Sequence, residues 1–283
     1  MSDLQGKVAL VTGAAAKRSM GRAIAVQLAK DGADVAVADK FAVPTSIWPG
    51  DEDWKGLDDV VAEIEAQGRK GLAVTCDVSQ SADVNAMVGK TLDTFGVIDI
   101  LVHCVGIRGP MPIPVVDLDE ATWRMLIDIN LTGAFLVTKA VAKTMVPNGE
   151  GKKIVLISSM AGIGPYPGGA GYAASKHGLL GLMKSLAREL APFKINVNAI
   201  NPGGFDTNFR DDNVIKTAKD RGVTVDEYMK NPVWGPTGQA GPPPIPLGRL
   251  GTPQDIADLA SFLVSDRSKY MTGEDVCLSG GAS

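Results

Sequence analysis

From Lys7 to about Asn201 the chain alternates short runs of β-branched and other apolar residues with longer stretches whose apolar positions recur at helical spacing. The short runs are Val8 to Val11, Val35 to Ala38, Leu72 to Val74, Ile98 to Val102, Ile154 to Ile157 and Ile195 to Ile200. Nearly all are continuously apolar rather than alternating, as strands covered by helices on both faces must be, so a parallel sheet is predicted. The intervening helices are predicted over 21–30, 56–67, 82–95, 121–145 and 172–190, each long enough to carry a crossover between parallel strands. Repetition of strand and helix in this order predicts a doubly wound α/β fold.

Two stretches break the rhythm. Residues 41–55 (FAVPTSIWPGDEDWK) hold two prolines and two tryptophans and read as a loop inserted after the second strand, packed against a neighbouring subunit or bordering a cofactor. Residues 207–247 contain GPTGQAGPPPIP and are too long for a simple connector, so they read as a substrate lid stiffened by Pro232 to Pro246. No internal repeat or linker divides the chain, which is predicted to be one domain over 1–283.

Composition narrows the function. The 28 Lys and Arg are outnumbered by 32 Asp and Glu among 283 residues, a net charge of −4 that argues against nucleic-acid binding through a basic surface. No apolar run approaches the ~18 residues of a membrane span, and the start, Met1 to Lys7, is polar where a secretory signal would be apolar, so a cytoplasmic protein with no membrane partner is expected. Cys76, Cys104 and Cys277 form no CxxC pair and read as buried thiols, with no disulfide framework and no metal site.

The chemistry begins at the first turn. Val8 to Gly13 runs from strand into turn, and Gly21 opens a helix, so that backbone N–H groups and the positive end of the helix dipole face a pyrophosphate. Asp39 closes the second strand 26 residues after Gly13, where a carboxylate accepts hydrogen bonds from the adenosine ribose and repels a 2′-phosphate. NAD is therefore expected, with NADP as the alternative. Farther on, Tyr172 and Lys176 stand four residues apart on one helix face, where the ammonium would lower the phenol pKa toward that of a useful general base. Ser159 lies 13 residues earlier, just past the fifth strand, where its hydroxyl can hold a substrate alcohol or carbonyl.

In this combination the sequence resembles the short-chain dehydrogenase/reductase family over nearly its whole length. The matching stretches are 12–25 (TGAAAKRSMGRAIA), 76–79 (CDVS), 130–133 (NLTG), 157–162 (ISSMAG), 172–176 (YAASK), 195–207 (INVNAINPGGFDT), 246–257 (PLGRLGTPQDIA) and 270–281 (YMTGEDVCLSGG). The resemblance implies a Rossmann fold with a seven-stranded parallel sheet and reversible hydride transfer between NAD(P) and a secondary alcohol, such as a sugar, polyol, hydroxy acid or cyclic alcohol. It implies Tyr172 as acid/base, Lys176 as pKa modifier and ribose anchor, Ser159 as substrate-orienting hydrogen bonder and Asn130 as holder of a relay water. It also implies that Asp77 and Val78 flank the adenine, that Phe205 and Thr207 contact the nicotinamide and phosphate side, and that the chain forms a homotetramer. The competing reading is a non-catalytic nucleotide-binding sensor or subunit on the same fold.

Three departures from the family pattern bear on the site. The turn is two residues longer than TGxxxGxG, with Ser19 and Met20 preceding Gly21 and Ser19 in place of the middle glycine, its hydroxyl a candidate phosphate donor. Lys17 and Arg18 within it point to solvent or neutralise the pyrophosphate. After the fourth strand, NNAG is replaced by His103, Cys104, Val105 and Gly106; Cys104 and Gly106 keep backbone contacts to the cofactor, and His103 is read as packing. Substrate contacts are assigned to Arg108, Ser159 and Tyr166. Arg108 pairs either with a substrate anion or with a surface carboxylate. Ile163, Met183 and Trp234 offer apolar surface, and Asp206, Asn208 and Arg210 polar contacts.

Overall fold

Seven runs of the chain are extended and pair side by side, all in parallel: β1 (Val8–Thr12), β2 (Asp34–Asp39), β3 (Gly71–Thr75), β4 (Ile100–His103), β5 (Lys153–Ile157), β6 (Asn196–Pro202) and β9 (Asp275–Leu278). The computed structural model describes residues 4–45, 48–230, 233–234, 239–240 and 245–282. The strand order β3-β2-β1-β4-β5-β6-β9 reverses direction of winding between β1 and β4. A crevice therefore opens beyond their C-terminal ends, where open α/β sheets bind ligands.

The central strands are buried throughout because helices cover both faces. On one side lie α1 (Met20–Lys30), α2 (Leu57–Glu65) and α9 (Pro253–Val264), packed on Ala9, Val11, Val35, Val37 and Val155. On the other lie α3 (Ser81–Phe95), α5 (Gly133–Met145) and α6 (Ala170–Leu190), packed on Leu10, Leu101, Ile154, Leu156 and Val197. Successive side chains of a strand point to opposite faces, so each strand feeds both cores. Met183 is fully buried in the second core and offers nothing to a substrate, contrary to the sequence expectation.

The helix expected over 121–145 is split into α4 (Glu120–Ile127), a π-helical turn at Asp128–Thr132 and α5. Together with the residues up to Asn148 it is one helical stretch long and apolar enough to cross a membrane, which corrects the sequence reading that none exists; its apolar face packs into the second core. The strands differ from expectation at their ends: β4 begins two residues later than Ile98 and β6 runs on to Pro202. Of the thiols, Cys76 is buried, Cys104 half-buried and Cys277 exposed, so the expectation of buried cysteines fails at the edge strand β9.

The stretch after β6 is structured. Asn208–Arg210 forms a 3-10 turn, followed by α7 (Asp211–Asp220), α8 (Val225–Lys230) and a short antiparallel pair, β7 (Val233–Trp234) with β8 (Gln239–Ala240). Most of the proline-rich part, including Pro232, and the side chain of Trp234 lie outside the described residues. Val214, Ala218 and Tyr228 form a small core of their own, onto which Trp48 of the inserted 41–55 loop packs. The two irregular stretches thus meet each other.

Candidate active site

The turn between β1 and α1 is shaped by close approach. Gly13 has φ +74°, and a Cβ there would stand 3.1 Å from the Cys104 carbonyl carbon; a Cβ on Gly21 would stand 2.3 Å from the Gly13 carbonyl oxygen. Neither position admits a side chain, so β1, β4 and the start of α1 converge on one point. Ser19 caps α1, its hydroxyl accepting from the Arg22 N–H at 3.0 Å while its own O–H remains able to donate. The N–H groups of Met20 and Gly21 have no acceptor among the described residues. A glycine-lined cradle with unspent N–H groups at a helix N-terminus fits a dinucleotide pyrophosphate.

The lengthened turn is held from outside. Asp39 accepts from the Ala15 N–H at 3.0 Å and from Lys40 N–H at 2.8 Å, and the Trp54 indole donates to the Ala15 carbonyl at 2.7 Å. Burial raises the Asp39 pKa, while the N–H groups of Ala15, Lys40 and Phe41 pull it down. Lys17 and Arg18 are neither free in solvent nor aimed at the pyrophosphate. Lys17 pairs with Asp51 at 2.7 Å, and Arg18 pairs with Asp211 at 2.9 Å and with Asp206, its guanidinium 4.0 Å from the centre of the Trp48 ring. The 41–55 loop therefore borders the turn. Asp77 and Val78 follow β3; Asp77 holds Ser79 and pairs with Lys40 at 2.8 Å, and Val78 is buried against Gly133.

At the ends of β4 and β5 the remaining candidates come together. Tyr172 and Lys176 lie one turn apart on α6, both buried, with the Lys176 Nζ 5.9 Å from the phenol ring centre and donating to the Ile157 carbonyl at 2.8 Å. Gly106 passes so close that a Cβ there would stand 3.2 Å from that Nζ. Burial lowers the Lys176 pKa to about 8. Burial likewise pushes the Tyr172 phenol up to about 12, against the opposing pull of a hydrogen bond with Ser159. The depressed phenol pKa expected from the sequence is thus not what the protein alone produces, because dehydration of the phenolate outweighs the Ser159 hydrogen bond and the Arg108 charge.

Asn130 sits in the π-helical turn, a local widening often found at functional sites. Its side chain is fully engaged: Oδ1 accepts from the Ile107 N–H at 2.7 Å, and Nδ2 donates to the Ile107 carbonyl at 2.8 Å and to Ser175 Oγ at 3.0 Å. Ser175 donates in turn to the Tyr172 carbonyl at 2.7 Å. Sequence reading missed Ser175 as a positioning residue, although its place three residues after Tyr172 put it on the same helix face.

His103 is fully buried, its Nδ1 2.9 Å from Thr12 Oγ1, and burial lowers its pKa to about 3. It is a neutral strand-end packing residue, as read. Burial raises the Cys104 thiol to about 12, which makes it a poor nucleophile. Phe205 is buried beneath Gly251 and Thr207 is buried just before the 3-10 turn at Asn208–Arg210.

The rings of Tyr166 and Phe209 flank that of Tyr172, with centroids 5.8 and 5.9 Å away. Phe209 has no counterpart among the sequence candidates, since nothing local aims it at Tyr172. Arg108 is half-buried and makes no ion pair or hydrogen bond among the described residues.

Comparison with known proteins agrees with this geometry. A family model described as short chain dehydrogenase matches residues 7–217, and one described as enoyl-(acyl carrier protein) reductase matches residues 238–283. The chain is 35% identical over 283 residues to an uncharacterized NAD-dependent oxidoreductase of Mycobacterium tuberculosis, covering 99% of this chain and 97% of that one. It is 35% identical over 282 residues to a 3-oxoacyl-(acyl-carrier-protein) reductase of a Synechocystis species, covering 99% and 98%. Among solved structures, levodione reductase superposes with a TM-score of 0.82 at 29% identity, covering 98% of each chain. Carveol dehydrogenase of Mycobacterium avium in complex with NAD gives 0.81 at 30% identity, covering 100% and 99%.

Proposed function

The chain belongs to the short-chain dehydrogenase/reductase family, and from that premise we propose that it is an NAD-dependent oxidoreductase interconverting a secondary alcohol and its ketone. The observation that carries this reading is the group of buried Tyr172 and Lys176 with half-buried Ser159 at the ends of β4 and β5, beside a glycine cradle at the N-terminus of α1. A nicotinamide dinucleotide, when bound, supplies the hydride acceptor or donor and brings a positive ring beside the phenol.

In the oxidative direction Ser159 orients the substrate hydroxyl and Tyr172 takes its proton. In reduction Tyr172 gives that proton to the carbonyl oxygen. Its high pKa suits the acid role, and in oxidation the nicotinamide cation and the Lys176 ammonium together favour the phenolate. Lys176 anchors the nicotinamide ribose, and the Asn130 backbone holds the relay water, its side chain being spent on Ile107 and Ser175. Gly13, Ser19, Met20 and Gly21 surround the pyrophosphate, Asp77 and Val78 the adenine, and Cys104, Gly106, Phe205 and Thr207 the nicotinamide side.

NAD is preferred over NADP for two reasons. Asp39 stands where a 2′-phosphate would sit, and Lys17 and Arg18 are neutralised by Asp51, Asp206 and Asp211. Exposed Trp123, Met125 and Phe135 on α4 and α5 support a homotetramer. Replacing Tyr172 by Phe is expected to lower kcat by ~10²- to 10⁴-fold in an assay of reduced-nicotinamide absorbance. Turnover within about threefold of the parent would remove Tyr172 from its acid/base role.

A further inference from the structure

Residues 106–109 form the inner wall of the site. Gly106 lies against the Lys176 ammonium, and the Asn130 amide grips both polar groups of the Ile107 backbone, which fixes where residue 108 leaves the wall. Gly109, with φ +69°, then turns the chain away immediately after it. The other side of the wall is closed where Ile113 N–H donates to the Gly168 carbonyl at 2.8 Å, in the loop that carries Tyr166. Arg108 thus leaves a rigid stretch of backbone, two residues beyond the glycine that lies against the Lys176 ammonium.

The charges around it do not cancel. Arg18 shares Asp206 and Asp211, and Asp206 also faces Arg210, whereas Arg108 has no carboxylate among the described residues. Among the described residues, Arg108 thus stands without a carboxylate, and its charge is felt at the reacting phenol. A guanidinium presents five donors in a planar fork, and partial burial without a partner is costly. Its charge reaches the site: Arg108 pulls down the pKa of Tyr172 and of Arg210. The Tyr166 and Phe209 rings, 5.8 and 5.9 Å from that of Tyr172, add apolar surface beside the phenol.

We propose that Arg108 is the specificity-determining residue and that the physiological substrate is a secondary alcohol or ketone carrying a carboxylate, which Arg108 binds. The proposal rests on the reading of Tyr172 as the acid/base, and it narrows the substrate class to hydroxy acids and oxo acids. A carboxylate held in the guanidinium fork fixes the carbinol carbon relative to Tyr172 as well as adding affinity.

The test compares a hydroxycyclohexanecarboxylate with the corresponding hydroxycyclohexanecarboxamide, for the 2-, 3- and 4-hydroxy isomers, in NAD reduction. For at least one isomer the acid is expected to exceed the amide in kcat/KM by ~10- to 100-fold, the usual contribution of a charge-assisted hydrogen bond. Arg108→Gln collapses that ratio toward one, chiefly through KM, and Arg108→Lys restores part of it. A ratio near one in the parent enzyme for every isomer, or an unchanged ratio in Arg108→Gln, overturns the proposal. If neither acid nor amide is oxidised, the oxidoreductase reading is what fails for these alcohols, and calorimetric titration with benzoate and benzamide decides the anion site. Benzoate binding that Arg108→Gln weakens about tenfold or more supports the site, and equal binding of benzoate and benzamide rejects it.

Discussion

Replacing Arg18 by Met should loosen the α7 segment without unfolding the protein. The guanidinium joins three parts distant in sequence: the lengthened cofactor turn, Asp206 and Asp211 before and at the start of α7, and Trp48 of the inserted loop. Asp206 is half exposed, and an ion pair there contributes little. Asp211 is different, because its side chain is only 4% exposed. Loss of a charged hydrogen bond to a buried carboxylate costs about 1.5 to 3 kcal/mol, and the stacking on Trp48 adds about 0.5 to 1 kcal/mol. The sum, about 2 to 4 kcal/mol, falls on the local opening of residues 206–230, since the sheet and its two cores do not depend on Arg18. Hydrogen exchange of the α7 amides is therefore expected to accelerate by roughly 30- to 1000-fold, while amides of β1, β4 and β5 keep their protection. Met preserves the apolar length of the side chain, so the change isolates the charge. α7 exchange within threefold of the parent would refute the reasoning, as would equal acceleration in the central strands. A double-mutant cycle with Asp211→Asn should show coupling, because the second change removes the charge that Arg18 neutralises.

Other consequences follow from the same geometry. Asp39→Ala removes the acceptor of the Ala15 N–H and the barrier to a 2′-phosphate; NAD should bind about tenfold more weakly and NADP relatively better, read by fluorescence titration, and unchanged NAD affinity would count against Asp39. His103 is neutral in the folded protein down to about pH 3 but titrates near pH 6.5 when unfolded, so the unfolded chain binds the extra proton between these values. Its contribution to stability is therefore present above pH 6.5 and lost as the pH falls toward 3; denaturant unfolding of His103→Gln should show a shallower decline over that window. Ser175→Ala breaks the link between Asn130 and the Tyr172 carbonyl inside the protein, at about 1 to 3 kcal/mol, so calorimetry should record a Tm lower by roughly 2 to 10 °C. An unchanged Tm would mean that Ser175 holds nothing.

The Arg18 clasp also marks the limit of what could be read along the chain. Lys17 and Arg18 are conspicuous in the sequence, yet their partners lie 34, 188 and 193 positions away. No local pattern names Asp51, Asp206 or Asp211. The same holds for Trp48 on the small core of α7 and α8, for Trp54 on the Ala15 carbonyl and for Phe209 against Tyr172. Tyr172 shows the converse. Its spacing from Lys176 was plain, but the sign of its pKa shift depended on how much water the fold removes, and burial won.

What the sequence determined by itself was periodic or local. Continuous apolar runs announced buried parallel strands, helical spacing announced the covers, and the turn glycines, Asp39, Ser159, Tyr172 and Lys176 stood at offsets that backbone geometry turns into positions at strand ends. Such features depend on a few neighbouring residues, so they survive in one dimension. What only the tertiary structure decided were the pairings across long stretches of chain: the seating of the inserted loop on the cofactor turn, the clamping of Ile107 by Asn130, and the joining of Arg18 to Asp211. Electrostatics and dehydration act through space, and the distances that set them exist only once the chain has folded.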